Sequence, residues 1–348
     1  MKRRQAYASR WRWGAALLVL SAATASSAAG ARAEAVADFY RGKTVTMIVP
    51  ADPGGSYDLH TRLIARHIGR WIPGRPAVIV QNMPGAGGLR AINYLYEKAP
   101  QDGSALGMPV QENVLADVLG GNDVRFRATD FNWIGRLAPS VDVIVTWWTT
   151  GVKTIADARR VAVPLGATGP ASGTILYPAV LNSLVGTRFS VVPGYRHTEM
   201  LLAMERGETA GAHTSLTTLK SSFPSWLAQN KINMLVVCAQ QRLPELVDVP
   251  DLIELADSAE DRAVLAIVAS VGAVGRSILT TPRVPPERVA ALRAAFQDML
   301  RDGEFLADLG KTHAEFGPLD GAALQAFIAA TRNVPPEVLE RVRAAVRR

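Results

Sequence analysis

Pro53-Gly54-Gly55-Ser56-Tyr57-Asp58 and Pro84-Gly85-Ala86-Gly87-Gly88 decide how this sequence is read. Each follows a short apolar run typical of a buried strand, Val45-Thr46-Met47-Ile48-Val49 before the first and Val78-Ile79-Val80 before the second. Each leads into apolar residues at helical spacing: Leu59, Leu63, Ile64, Ile68, Trp71 and Ile72 after the first, Leu89, Ile92, Leu95 and Tyr96 after the second. Asp58 falls in the first turn of its helix, where the dipole favours a carboxylate. Two parallel strands joined by a helical crossover bring both turns to one carboxyl edge of a sheet, with helix N-termini aimed between them. Main-chain N–H groups at such a place suit a small anion, and glycine lets a ligand oxygen come close to the backbone. One such turn is equally a tight connection. Two on one sheet edge point to a small anionic ligand.

Nucleotide binding is excluded by spacing. Gly85-Ala86-Gly87-Gly88-Leu89-Arg90 puts an arginine where the dinucleotide fingerprint needs its third glycine. Gly42-Lys43-Thr44 and Gly310-Lys311-Thr312 lack the glycine five residues upstream that a phosphate loop requires; Ala37 and Phe305 stand there.

Residues 1–33 have a basic head (Lys2, Arg3, Arg4, Arg10, Arg12), a small-residue apolar run from Gly14 to Ala29, and Ala31-Arg32-Ala33 before Glu34. This pattern predicts a cleaved secretory signal by the general route and a periplasmic product. The run is rich in alanine and serine and shorter than the ~20 strongly apolar residues of a membrane span. The segment carries six Lys/Arg and no acidic residue, so its loss leaves 32 basic against 31 acidic side chains, a net of +1. A near-neutral chain without a basic block predicts no nucleic-acid partner. The single cysteine, Cys238, lies in the apolar run Met234-Leu235-Val236-Val237-Cys238 and reads as a small buried hydrophobe. No cysteine follows the signal to carry a lipid anchor, so a soluble product, and a monomer, is expected. The remaining 315 residues suffice for two packed lobes.

Farther along, a turn at Lys98-Ala99-Pro100-Gln101-Asp102-Gly103 precedes a strand near Ala105 to Met108, and a mostly irregular stretch containing Asn113 follows. Val141-Asp142-Val143-Ile144-Val145-Thr146-Trp147-Trp148 is the strongest strand signal and is expected to lead out of the first lobe, its tryptophans packing rather than binding. Arg160-Val161-Ala162-Val163 opens a further strand, turn and helix unit. Its turn, Leu165 to Thr174, offers another anion site, with Ser172 or Thr174 as helix cap; a capped helix without a ligand reads equally well. Pro178 is expected near the end of that helix's first turn. Arg196, in the loop after Phe189 to Pro193, is a candidate for the cleft mouth or a solvated loop residue. A helix from Glu199 stops at Gly207, Ile232 to Ala239 is a returning strand, Glu260 to Ser270 a helix, and Val274 to Leu279 a further strand. Val284-Pro285-Pro286-Glu287 and Val334-Pro335-Pro336-Glu337 each open an amphipathic helix. The segments predicted are 34–141 for the first lobe, 142–238 for the second, and 239–348 returning to the first.

No motif supports catalysis. There is no Gly-x-Ser-x-Gly elbow, no His-Glu-x-x-His, and no cysteine nucleophile, and His60 and His67 read as a polar helix face. Nothing in the sequence calls for a metal or a cofactor.

These residues resemble the periplasmic solute-binding proteins of tripartite tricarboxylate transporters, the Bug-type receptors. The resemblance rests on Val45 to Asp58, on Val78-Ile79-Val80-Gln81-Asn82-Met83-Pro84-Gly85-Ala86-Gly87-Gly88 and on Pro100-Gln101-Asp102-Gly103. It continues through Gly166 to Thr174, Gly194-Tyr195, Arg242-Leu243-Pro244 and Val249-Pro250. It implies a periplasmic-binding-protein-like fold, two α/β lobes with a ligand cleft between them, and no chemistry. Carried over, the ligand contacts are Pro53, Gly54, Gly55, Ser56 and Asp58, then Gly85, Ala86 and Gly87, then Thr168, Ser172 and Gly173. Ala51-Asp52 departs from the family pattern: Asp52 would repel an anion unless paired or turned away. The implied function is capture of a small organic acid for the integral-membrane permease subunits of such a transporter. The alternatives are a ligand sensor feeding a membrane kinase and, with less support, an exported hydrolase.

Overall fold

The computed structural model describes residues 32–240, 242–312 and 315–346. The expected signal segment lies outside the described residues except for its last two positions, which begin helix α1 (32–40).

The first half builds most of one sheet: β1 (Thr44–Val49), α2 (Ser56–Ile68), β2 (Ala77–Asn82), α3 (Leu89–Glu97), β3 (Ala105–Gly107), α4 (Glu112–Leu119) and β4 (Asn132–Arg136). β1 pairs in parallel with β2, from Thr44 opposite Ala77 to Val49 opposite Asn82, so both strands end level and both glycine-rich turns leave the same edge. β1 carries apolar side chains on both faces because both are covered, Val45 and Met47 on one side and Ile48 on the other. The second sheet follows with β5 (Asp142–Trp147), α5 (Ile155–Arg160), β6 (Val163–Ala167), α6 (Gly173–Val185), β7 (Phe189–Pro193), α7 (His197–Glu205), β8 (Gly211–Ser215), α8 (Leu216–Ser222), α9 (Pro224–Ala228) and β9 (Ile232–Cys238). The chain then passes through α10 (Ala259–Ser270) to β10 (Ser277–Thr280), α11 (Pro286–Leu300), α12 (Gly303–Gly310), β11 (Leu319–Asp320), α13 (Gly321–Ala330) and α14 (Pro336–Val346).

Strand order is β11-β4-β10-β3-β1-β2 in the first sheet and β7-β6-β8-β5-β9 in the second. Two segments cross between them and bind each other: Leu137 N donates to Arg276 O (2.9 Å), Arg276 N to Ala138 O (2.8 Å) and Ser140 N to Gly272 O (2.8 Å). β5 leads out of the first sheet into the interior of the second, between β8 and β9. Trp147 packs edge-on against Trp226 with ring centres 5.1 Å apart, while Trp148 stays half exposed. Cys238 is buried among aliphatic side chains.

Several local expectations change. The stretch around Asn113 is helical: Glu112 sits in its first turn and Gly120, at φ +72°, ends it. β8 is a central strand whose sequence, Gly-Ala-His-Thr-Ser, shows no apolar alternation because every residue is buried. His60 and His67 do not form a polar face. Both are buried; His67 Nε2 lies 3.0 Å from Asp308 Oδ2, and its ring meets Phe305 edge-on. Pro178 lies inside α6, in its second turn. Residues 239–348 are divided between the sheets. α11, α12 and α13 pack on the first, whereas Val264, Leu265 and Val268 of α10 and Val342 and Ala345 of α14 enter the core of the second. The apolar faces of these two helices meet α6, which sequence position alone does not disclose.

Candidate functional site

A cleft of about 370 Å³ opens between the two sheets, within the size range of small-molecule sites. Its first wall is the loop from Pro50 to Tyr57. Asp58 builds that loop rather than facing the cleft: its carboxylate accepts from Gly54 N (3.0 Å), Arg62 Nε (2.9 Å) and Asn82 Nδ2 (2.9 Å). These donors outweigh the effect of burial and hold its pKa below the usual carboxylate value. The second wall is the turn from Gly85 to Gly88, in which all four residues have positive φ, the non-glycine Ala86 at +51° included. Asn113 Nδ2 donates to Gly87 O (3.1 Å) and fixes the turn against α4.

The opposing wall comes from the second sheet. Ser172 occupies the N-cap position of α6, but its hydroxyl donates to Gly169 O (2.6 Å) instead of capping, and Thr174 Oγ1 accepts from Thr168 N (3.0 Å). Ile175 N donates to Ser172 O (3.1 Å), which leaves the N–H groups of Gly173 and Thr174 without an acceptor in the cap, the state in which a helix end receives an anion. This wall touches the first lobe. A Cβ built at Gly87 would stand 2.6 Å from Ser172 N, and one at Gly169 would stand 2.7 Å from Gly87 N.

Of the residues selected from sequence, Gly55, Ser56, Gly85, Gly87, Thr168, Ser172, Gly173 and Arg196 line the cleft. Pro53, Gly54, Asp58 and Ala86 shape the loops behind that lining. Asp52 is paired: its Oδ1 lies 3.7 Å from Arg196 Nε across the mouth, joining one lobe to the other.

The floor is built from residues that carry no local motif. Arg276, almost fully buried between the crossing segment and β10, donates through Nε to Ser56 Oγ (3.1 Å). Its guanidinium lies 4.1 Å from the centre of the Tyr57 ring. Gln111 joins this cation to two acids: its Oε1 accepts from Arg276 Nη1 (3.4 Å), and its Nε2 donates to Asp142 Oδ2 (2.8 Å) and Glu112 Oε1 (3.3 Å). Burial, and secondarily the Asp142 charge, push the Glu112 carboxyl up to about 8. His213, on β8, stacks on Tyr177 with ring centres 4.7 Å apart; burial lowers its pKa and keeps it neutral. His197 is also held neutral by burial, down to about 4, with Nε2 3.1 Å from Thr214 Oγ1. Gly173 is where these groups converge: a Cβ there would stand 2.5 Å from His213 Cε1 and 2.7 Å from Glu112 Oε1.

Sequence reasoning missed Arg276, Glu112, Asp142 and His213. Asp142 was visible as an acid heading the strongest strand, and Glu112 as a helix-opening acid. Arg276 and His213 had no local signal.

Comparison with known proteins bears on this architecture. Residues 64–343 match the sequence profile described as "Tripartite tricarboxylate transporter family receptor". The UPF0065 protein in the gbd 5′ region of Cupriavidus necator is 26% identical over 333 residues, 93% of this chain and 95% of that protein. The solved structure of the periplasmic binding protein BugD superposes with a TM-score of 0.69 at 20% identity, covering 88% of this chain and 98% of its own. MatC from Rhodopseudomonas palustris, solved with bound malate, superposes with a TM-score of 0.66 at 20% identity, covering 87% and 99%.

Proposed function

The chain belongs to the tripartite tricarboxylate transporter receptor family, and from that premise we propose that it holds a small organic carboxylate in the cleft between its sheets. Such a protein is a solute-binding receptor and not an enzyme: the solute leaves as it arrived. We further propose delivery to integral-membrane permease subunits, action as a monomer, and export to the periplasm behind a cleaved segment ending near Ala33. No helix of the described residues is long and apolar enough to cross a membrane.

The observation that carries the ligand class is the convergence of three turns on one cleft, two from the first sheet and one from the second, with a buried guanidinium at its floor. Helix-turn N–H groups and Arg276 together offer a carboxylate several donors in a desolvated place, where charge-assisted hydrogen bonds are strong. MatC, a neighbour in fold, carries an organic acid and supports the same class. Arg196, 3.7 Å from Asp52, offsets part of the Asp52 charge at the mouth.

A thermal-shift screen of protein from Glu34 onward tests this. A solute of micromolar affinity at about a thousandfold excess adds roughly 4 kcal/mol, or about ten degrees for a chain near this size. A shift with a carboxylate, abolished by Ser172→Trp at the cleft wall, is the expected result. Shifts confined to neutral or purely cationic compounds would refute the ligand class.

A further inference from the structure

The charges lining the cleft are Asp52, Glu112, Asp142, Arg196 and Arg276. Asp52 and Arg196 face each other at the mouth. Inside remain one cation and two acids, separated by a single amide, that of Gln111. The acid side is short of donors. An ionised carboxylate has about four acceptor sites, whereas Asp142 receives Ser140 Oγ (2.8 Å) and Gln111 Nε2, and the side chain of Glu112 receives Gln111 Nε2 and its own backbone N–H. His213, 5% exposed and lining the same cleft, has an Nε2 with no hydrogen-bond partner. That atom lies 3.6 Å from Asp142 Oδ2, too far for a hydrogen bond. Stacking on Tyr177 fixes its ring there.

We infer that Glu112, Asp142 and His213 form a subsite for a protonated amino group, so that the solute is a zwitterion, a carboxylate bearing an ammonium, rather than a di- or tricarboxylate. This rests on the carboxylate reading above and deepens it. The solute's carboxylate lies on the side of the glycine-rich turns and Arg276, and its ammonium on the side of the two acids. An ammonium brings three donors and one positive charge to two acids that reach the buried cation Arg276 only through the Gln111 amide. A second carboxylate there would meet Asp142 in a desolvated pocket and find no cation beside it. A metal ion is the other cationic occupant to consider, but among the described residues no group of three or more His, Cys, Asp or Glu side chains is disposed to hold one.

Glu112 supplies a second readout. The ionisable groups around it are Asp142, Arg276, Tyr57, Tyr177, His213 and Cys238. With the site empty its carboxyl is protonated near neutral pH, and an arriving ammonium replaces that proton, so binding releases a proton to buffer.

The test is isothermal titration of the whole protein with the common amino acids and with their deaminated counterparts, such as L-alanine with propionate and L-aspartate with succinate. Tricarboxylates complete the panel. An amino acid should bind roughly tenfold or more tightly than its counterpart, the discrimination expected where a buried hydrogen-bonding site would be left unpaired. Glu112→Gln and Asp142→Asn should shrink that preference. Proton release, read in wild-type protein from buffers of different ionisation enthalpy, needs no variant. Equal or tighter binding of the deaminated acid, or of a tricarboxylate, overturns this inference and leaves the receptor reading standing. Failure of every carboxylate, with or without an amino group, overturns both.

Discussion

Gly169→Ala isolates the contact that closes the cleft. Its Cβ would stand 2.7 Å from Gly87 N and 3.2 Å from the Ala86 carbonyl carbon, both main-chain atoms of the opposite lobe. Neither can rotate away, so the lobes must part by several tenths of an ångström. Gly169 is not among the positive-φ residues, so alanine there adds no backbone strain. Overpacking of this kind costs ~1–3 kcal/mol. We predict that the lobes part when the cleft is empty, so that the cost falls on the form in which they touch and the affinity for the best carboxylate drops about 5- to 150-fold at 1.4 kcal/mol per tenfold. Gly87→Ala makes the control. It meets Ser172 N at 2.6 Å but also sits at φ +62°. Left-handed strain of ~1 kcal/mol acts whether or not the lobes touch and should lower the Tm of the ligand-free protein by roughly 2–4 °C. Titration calorimetry reads the affinity, and scanning calorimetry without ligand reads the stability. An unchanged Kd for Gly169→Ala, or a loss of Tm without a loss of affinity, would refute the reasoning.

Three further outcomes follow from the same geometry. Glu112 is protonated when folded and ionised when unfolded between about pH 4.5 and 8, so its share of stability is full below that window and lost as pH rises through it. Urea unfolding of ligand-free protein should show a decline on the order of 3–5 kcal/mol across the window, flattened in Glu112→Gln. Asp58→Ala removes three donors' common acceptor and should cost ~2–3 kcal/mol; in the wild type this contribution is present at neutral pH and disappears as acid protonates the carboxylate below its normal range. Asp52→Asn removes one of the two acids beside the exposed Arg196 at the mouth and leaves Glu199 as the other, 3.7 Å away. Because rim charges act mainly on encounter, the on-rate for anionic solutes should rise at low salt and the gain should vanish at high salt, as stopped-flow would show.

The parallel unit around β1 and β2, the level ends of those strands, and the two glycine-rich turns were legible in the sequence because each rests on short-range chemistry. An apolar run, a turn needing positive φ and a helix with one apolar face are all written within about thirty residues. The same holds for α6, for β5 as the exit strand, and for the proline-opened helices α11 and α14. β8 and α4 escaped for opposite reasons. β8 is buried on every side, so it has no alternation to read. α4 is only eight residues long, although Glu112 and Gly120 marked its ends. Which sheet α10 and α14 cover was decided by their meeting with α6, not by anything in their own sequence.

The floor of the cleft belongs wholly to tertiary structure. Ser56, Gln111, Asp142 and Arg276 are separated by up to 220 positions, yet they share hydrogen bonds because two crossing segments bring both lobes to one point. Sequence alone established that an anion-receptive edge exists, since backbone N–H groups are exposed wherever a glycine-rich turn opens a helix. Only folding could decide what charge stands at its floor, because the burial that raises the Glu112 pKa and orphans His213 Nε2 is made by residues remote from both in the chain.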